Sequence, residues 1–244
     1  MNLLLLEPGE RVLEKTDARS QHIRRVLRLR EGDTLRAGEL GGSIGTATVT
    51  GITADRLTLA FEPYASPPPL PPVELLLGHP RPIVLRRMLR DLTALGPRRI
   101  VVAPTELGEK SYHESNLWDD VETPMREGAA QGGSTLLPEL VRGWTLERAI
   151  DELTAGPGAR IVLHAERDDP SGSPPGLLDL LAGASRAAPV AIAVGSERGW
   201  TAREVDLLRA AGFVAASLGS RTLRTETAAT VAMWAAISWY HRLP

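Results

Sequence analysis

Five prolines fall within seven residues at "SPPPLPP", positions 66–72. Proline fixes φ and has no N–H, so this stretch favours extended polyproline II and can join neither a helix nor a central strand. The chain is therefore read as two pieces, residues 1–65 and 73–244, joined by a linker over 66–72. The first piece reads as β. "TLRAGELGGSIGTATVTGITADRLTLAFEPY" alternates polar and apolar residues and is punctuated by glycine, which suits short antiparallel strands in a small barrel. One segment departs from this. "SQHIRRVLRLREGD" predicts a helix with Ile23, Val26 and Leu27 along one stripe and Arg24, Arg25 and Arg28 on the other face. No acidic residue interrupts the run from Arg19 to Arg30, which favours RNA binding over a merely solvated face.

The second piece alternates strand and helix signals. "VELLL" (73–77), "RIVVA" (99–103), "RIVLHA" (160–165), "VAIAV" (190–194) and "FVAASL" (213–218) read as short buried strands. They are too apolar to show a two-residue period, as expected for a parallel sheet covered on both faces. Between them, "PIVLRRMLRDLTAL" sets Leu85, Met88, Leu89 and Leu92 on one stripe. "TAREVDLLRAAG" pairs Thr201 with Glu204 as a capping box and has Gly212 for its end. A last helix is expected from about Thr225 to Leu243. This is an α/β pattern.

Ligands of open α/β sheets bind at the carboxyl ends of the strands. Three loops leave such ends: "HAERDDPSG", "GSERGW" and "GSRTLRTET". Gly195, Gly199 and Gly219 allow a backbone to come close to a ligand there. Familiar sites are missing. "GHPRP" follows the first strand where a dinucleotide fold needs GxGxxG. "LGEKS" lacks the earlier glycine of a P-loop, and no GxSxG elbow exists. The absence of cysteine excludes disulfides, zinc–thiolate sites and thiol nucleophiles. The five histidines are scattered, which predicts no metal site. A net charge of −2 gives no whole-chain attraction to nucleic acid, and leaves a local basic patch possible. The four leucines of "MNLLLLEPGERV" lack a basic flank and are too short for an export signal or a span, so a soluble cytoplasmic protein is expected.

"VAIAVGSERGWTAREVDLLRAAGFVAASLGSRTLRTETAATVA" closely resembles the carboxyl half of the RsmE family, SPOUT-superfamily methyltransferases that methylate N3 of a uridine in small-subunit ribosomal RNA. "LGSRTLRTETA" (218–228) carries the resemblance most specifically; "HIRRVLRLREGD" and "GAAQGGSTLLPEL" extend it over both pieces. Departures are Ser196, Arg198 and Trp200 in the loop that the family writes GPEGGF, Thr222 for Ile, and no arginine soon after Gln131.

The resemblance implies a trefoil-knotted α/β domain preceded by a PUA-like barrel. It implies S-adenosyl-L-methionine (SAM) as cofactor, held by Leu163, His164, Gly195, Glu197, Gly199, Leu218, Gly219, Leu223 and Thr227. Arg224 would steady the uracil anion, and Glu226 would orient Arg224 or accept a proton. Arg24, Arg25 and Arg28 would bind RNA, and Trp200 would pack or stack. Gln131 fits a structural amide and a substrate contact equally well. The alanine-rich last helix suits passage through a tight loop, and its Trp234, Trp239 and Tyr240 suit a homodimer seam. The partner implied is ribosomal RNA or the small ribosomal subunit, with no membrane. Two alternatives stand beside this: a SPOUT-type methyltransferase for another RNA base or a small molecule, and a non-catalytic RNA-binding protein of the same fold.

Overall fold

A computed structural model gives the structure, described here for residues 2–164 and 174–241. Five strands form the first sheet: β1 (Leu4–Leu6), β2 (Val12–Glu14), β3 (Thr34–Glu39), β4 (Ile44–Ile52) and β5 (Arg56–Ala65). Their order is β1-β3-β4-β5-β2, with β1 parallel to β3 and the other neighbours antiparallel. The amino-terminal leucine run is the strand β1 and its approach. Side chains alternate across a strand. Leu4 and Leu6 therefore enter the sheet's own core with Leu13, Val49 and Leu57, while Leu3 and Leu5 turn the other way onto Ala129. Burial on both sides is what requires an unbroken apolar run.

The segment after β2 is not one amphipathic helix. Helix α1 (Ala18–His22) runs into a π-helical turn, Ile23–Leu27, and Arg28 closes it in the left-handed region at φ 56°. In a π turn the hydrogen bond spans five residues, so positions three and four after Ile23 no longer fall beneath it. Ile23 is fully buried, but Val26 is 64% and Leu27 41% exposed, which corrects the predicted stripe.

Residues 66–72 are neither helix nor strand. After them comes a six-stranded sheet: β6 (Val73–Gly78), β7 (Arg99–Ala103), β8 (Glu139–Val141), β9 (Ala159–Leu163), β10 (Val190–Val194) and β11 (Val214–Ala216). The order is β11-β9-β10-β6-β7-β8, and every neighbouring pair is parallel. Five strands coincide with the predicted runs, although Ala165 lies outside the described residues. The sixth, β8, is a three-residue edge strand with no apolar run of its own, so nothing in its sequence marked it.

Six helices cover this sheet: α2 (Pro82–Leu95), α3 (Glu122–Gly132), α4 (Leu146–Thr154), α5 (Leu177–Ala182), α6 (Ala202–Ala210) and α7 (Thr225–His241). Leu75, Leu77, Ile100, Val102 and Ile192 face the side packed by α2, α5 and α7. Leu76, Val101, Ala191 and Ala193 face α4 and α6. The two-residue period is thus present but hidden, because both faces are apolar. Truncating a fully buried side chain such as Leu76 to alanine costs about 2–5 kcal/mol. Helix α7 lies over β6 and β10 and packs on α2 and α5. Its buried side is built from Ala229, Ala232, Met233, Ala235 and Ala236, which let it sit close. The capping box of α6 forms as the sequence predicts, and Gly212 follows its end at φ 86°. The predicted extension of α7 to Leu243 runs outside the described residues.

Candidate active site at the strand ends

The parallel register sets Leu163, Val194 and Ala216 level on neighbouring strands, with Leu77 beside Val194. The loops that follow β9, β10 and β11 therefore leave one edge of the sheet together. Most of the loop after His164 lies outside the described residues. His164 itself donates its amide to the Ala216 carbonyl at 3.2 Å.

The loop Gly195–Trp200 is tightly folded. Gly199 donates its amide to the Ser196 carbonyl at 2.9 Å and has φ 75°. A Cβ on Gly195 would lie 2.8–2.9 Å from the Gly199 backbone, and one on Gly78 would lie 2.7 Å from the Ser196 amide. Only bare α-carbons permit this approach. The Glu197 carboxylate accepts the Arg81 amide at 2.9 Å and so caps α2, which begins with Pro82 and has no side-chain cap from Arg81. The Arg198 guanidinium turns away onto the next loop, reaching the Leu107 carbonyl at 3.4 Å and Glu109 at 3.3 Å. Trp200 is buried in the core beneath, the packing role.

The loop Ser217–Arg224 is more exposed by comparison. Ser217 and Leu218 are anchored: Ser217 accepts the Leu177 amide at 3.0 Å, and Leu218 packs on the core. Beyond them Gly219 has φ 110°, and a Cβ there would meet nothing within 4 Å. Leu223 is 37% exposed and Thr227 is exposed on the first turn of α7. Arg224 stands 4.0 Å from Glu226, with 87% of its side chain exposed. Glu226 lies at the amino end of α7, where the helix dipole favours a carboxylate.

A group that sequence reasoning passed over sits at the end of β6. His79 is buried, and its Nδ1 lies 2.8 Å from the Pro80 carbonyl oxygen. A carbonyl only accepts, so Nδ1 holds the proton and Nε2 presents a lone pair. Among the described residues Nε2 has no hydrogen-bond partner, nor do the buried hydroxyls of Thr105 and Ser196. The rings of Tyr112, His113 and Trp118 surround the imidazole at 5.8, 4.6 and 5.4 Å. Burial pushes His79 below the ordinary histidine range, so it is neutral near pH 7. The signal available was a polar residue two places after each of two apolar runs, His79 after Leu77 and Thr105 after Ala103.

A second web fastens the β7 loop to α6. Glu106 accepts the Thr201 hydroxyl at 2.6 Å and pairs with Arg203, while the buried Glu204 accepts the Glu106 amide at 2.7 Å. The Thr201 hydroxyl, then Arg203, hold the Glu106 carboxyl below its usual range.

The structure thus gathers Leu163, His164, Gly195, Glu197, Gly199, Leu218 and Gly219 at one sheet edge, with Leu223, Arg224, Glu226 and Thr227 on the loop and helix that follow. Arg24, Arg25 and Arg28 lie instead on the turn of the first sheet. Gln131 is exposed on α3, and its carbonyl accepts the Asn2 side chain at 2.7 Å.

Residues 66–237 match the family model of an RNA methyltransferase domain, and residues 16–62 match that of an RNA methyltransferase PUA domain. A ribosomal RNA small subunit methyltransferase E from Treponema pallidum is 36% identical over 100% of this chain and 95% of its own length. A probable rRNA-methyltransferase from Porphyromonas gingivalis has the same fold, with a TM-score of 0.72 at 23% identity over 100% of this chain and 98% of that one. So does a ribosomal RNA small subunit methyltransferase E from Neisseria gonorrhoeae, solved bound to SAM, with a TM-score of 0.69 at 21% identity over 100% and 98%. Two sheets, one matched as a PUA domain and one as a methyltransferase domain, and a near full-length relative lead to one conclusion: the chain belongs to the RsmE family of RNA methyltransferases.

Proposed function

We propose that this chain is a SAM-dependent methyltransferase acting on N3 of a uridine in small-subunit ribosomal RNA. One observation carries the reading: two glycine-bearing loops leave β10 and β11, the parallel strands on either side of β9, at one sheet edge, inside the region matched as a methyltransferase domain. The Treponema relative's activity on small-subunit ribosomal RNA supports the substrate, and the cofactor bound by the Neisseria protein supports SAM.

The residues present fit that cofactor. The α-carbon of Gly219 borders open space, and the crossing of Gly195 with Gly199 keeps side chains out of the neighbouring loop. Leu163, His164, Gly195, Glu197, Gly199, Leu218, Gly219, Leu223 and Thr227 would hold SAM, which supplies an activated methyl group. The uridine must lose its N3 proton, leaving negative charge on the ring. Arg224, held only loosely by Glu226, is placed to reach out and stabilise that charge. Glu226 orients the guanidinium or accepts the N3 proton, which is then released to solvent.

Residues 1–65 then serve as the RNA-holding domain, 66–72 as the linker and 73–244 as the catalytic domain. A trefoil knot threaded by α7 accounts for the alanines on its buried side. Pairing of two copies through α7 accounts for Trp234 and Val231, which are 56% and 40% exposed on the same helix. The work takes place in the cytoplasm, on ribosomal RNA or the small subunit.

The test uses small subunits from a strain lacking this chain, incubated with the purified protein and methyl-labelled SAM. Nucleoside mass spectrometry should find label as 3-methyluridine in small-subunit ribosomal RNA. Label on another base, or no label while SAM still binds by calorimetry, would overturn the reading.

A further inference from the structure

We propose that the turn Ile23–Arg30 is an RNA wedge: Val26 and Leu27 cover or part the bases of an unpaired segment, while Arg25, Arg28 and Arg30 hold the flanking phosphates. This rests on the function proposed above and adds to it a contact made by apolar side chains.

Several observations meet on this turn. Val26 and Leu27 are consecutive, large and exposed. Single exposed apolar residues need no explanation, but an adjacent pair on a projecting turn does. Arg28 is the one non-glycine residue with positive φ among those described. Such strain persists where the surroundings fix it, and it clusters at functional sites. Arg25, Arg28 and Arg30 are exposed and make no side-chain hydrogen bond or ion pair among the described residues. The two acids nearest in sequence, both exposed, are tied to backbone amides: Glu31 accepts the Ile52 amide at 3.0 Å and Asp33 accepts the Arg30 amide at 2.7 Å. The outward face of the turn is therefore cationic around an apolar tip.

Arg24 has a different task from its neighbours. Its guanidinium donates to the Thr53 carbonyl at 3.0 Å and the Arg56 carbonyl at 2.6 Å, and its Nε reaches the Ser20 hydroxyl at 3.2 Å. It is a brace from the turn to the β4–β5 connection, and it holds the tip outward. Arg24 is thus a positioning residue, and phosphate contacts fall to the other three.

The chemistry of the tip selects RNA. Unpaired RNA bases present apolar faces that stack on side chains, and inserted leucines and isoleucines part base steps in other nucleic-acid complexes. A protein partner would match the apolar pair but would need its own acids opposite three unpaired guanidinium groups.

The test is filter binding to in vitro transcribed 16S ribosomal RNA across a salt series. In the double variant Val26→Ser, Leu27→Ser, affinity should fall about tenfold, the size of one lost stacked base, with the salt slope unchanged. In Arg25→Ala, Arg28→Ala the slope itself should shrink by about 1.4, two phosphate contacts on a single strand. Leu27→Phe, which keeps an apolar face, should bind at least as well as the original. Both side chains are exposed, so all variants should retain their circular dichroism and SAM binding. Unchanged affinity in the folded serine variant overturns the wedge. So does a serine variant that loses self-association in sedimentation while binding RNA normally, because the tip is then a protein interface. An original protein that binds no ribosomal RNA overturns the function proposed above before any variant is made.

Discussion

Two loops leave β10 and β11, the parallel strands that flank β9, at the same edge and are built in different ways. Gly195–Trp200 is held by three of its side chains: Glu197 on the α2 amide, Arg198 on the β7 loop, Trp200 in the core. Gly219–Arg224 has a glycine in open space, an exposed leucine and an arginine that stands 4.0 Å from Glu226. The first loop is fixed by contacts within the chain. The second can be ordered by the ligand, and it is the one that carries the proposed catalytic arginine. A site with one rigid wall and one adaptable wall can admit a cofactor and an RNA base in turn.

The largest effects should come from filling the rigid wall. In Gly195→Val the new Cβ would fall 2.8–2.9 Å from the Gly199 backbone, closer than real Cβ contacts occur. The loop must move, at about 1–3 kcal/mol for overpacking, so both the melting temperature and SAM binding should drop. Gly219→Val should separate the two properties. Its side chain meets nothing, but φ 110° strains any branched residue. The exposed loop can shift to relieve that strain, so the melting temperature should hold while calorimetry finds no SAM binding. A Gly219→Val protein that binds SAM normally would remove Gly219 from the cofactor wall. Equal thermal losses in the two variants would end the contrast itself.

Acid should loosen the rigid side next. An ordinary histidine protonates near pH 6.5. Burial, and after it the neighbouring His113, hold His79 below that range, against opposing pulls from the Pro80 carbonyl and Glu197. His113 is also lowered by burial. As pH falls, the unfolded chain takes up the proton first. Stability is therefore full above about pH 6.5 and declines from there toward the lower folded value. Urea midpoints measured from pH 8 to pH 5 should show this decline, and His79→Phe should make it shallower. Parallel curves would mean that His79 is not the group responsible.

How much of this could be read beforehand differs by region for physical reasons. The buried strands Val73–Gly78 and Val190–Val194 announce themselves because both faces are apolar. The cap of α6 was legible because Thr201 and Glu204 act within one turn. Glycines at 195, 199 and 219 were legible as conformational needs, although only coordinates distinguish a close approach at Gly195 from open space at Gly219. The edge strand β8 had no pattern to detect. The turn after α1 misled, because Ile23, Val26 and Leu27 keep helical spacing while the backbone takes a π turn. His79 was hidden for another reason: its neighbours Tyr112, His113 and Trp118 come from more than thirty residues further along the chain.

A smaller effect should follow from Glu197. Its carboxylate satisfies an amide at the start of α2, a role worth about 1 kcal/mol at an exposed helix end. Glu197→Ala should lower the unfolding free energy by that amount, read as a lower urea midpoint at unchanged slope. Glu197→Gln keeps an acceptor and should recover most of it. If Glu197 also touches SAM, cofactor affinity should remain reduced in Glu197→Gln after stability has returned. Recovery of both together would make Glu197 a cap and nothing more.

The smallest effect should belong to Arg198, the most conspicuous departure in the loop. An arginine where the related loops carry glycine suggests a narrowed pocket. Its guanidinium instead reaches over the β7 loop to the Leu107 carbonyl and Glu109, with 65% of the side chain exposed. Pairs this exposed are screened by solvent and contribute about 0–1 kcal/mol. Arg198→Gly should therefore leave SAM affinity unchanged and move the melting temperature by little more than the scatter of replicate scans. What it should alter is the β7 loop: the amides of Gly108 to Lys110 should exchange hydrogen faster once the tie to Glu109 is cut. Tighter SAM binding in Arg198→Gly would show that the side chain does occupy the cofactor wall. Unaltered exchange at Gly108 to Lys110 would show that the rigid loop does not depend on this tie, leaving Glu197 and the Gly195–Gly199 crossing to hold it.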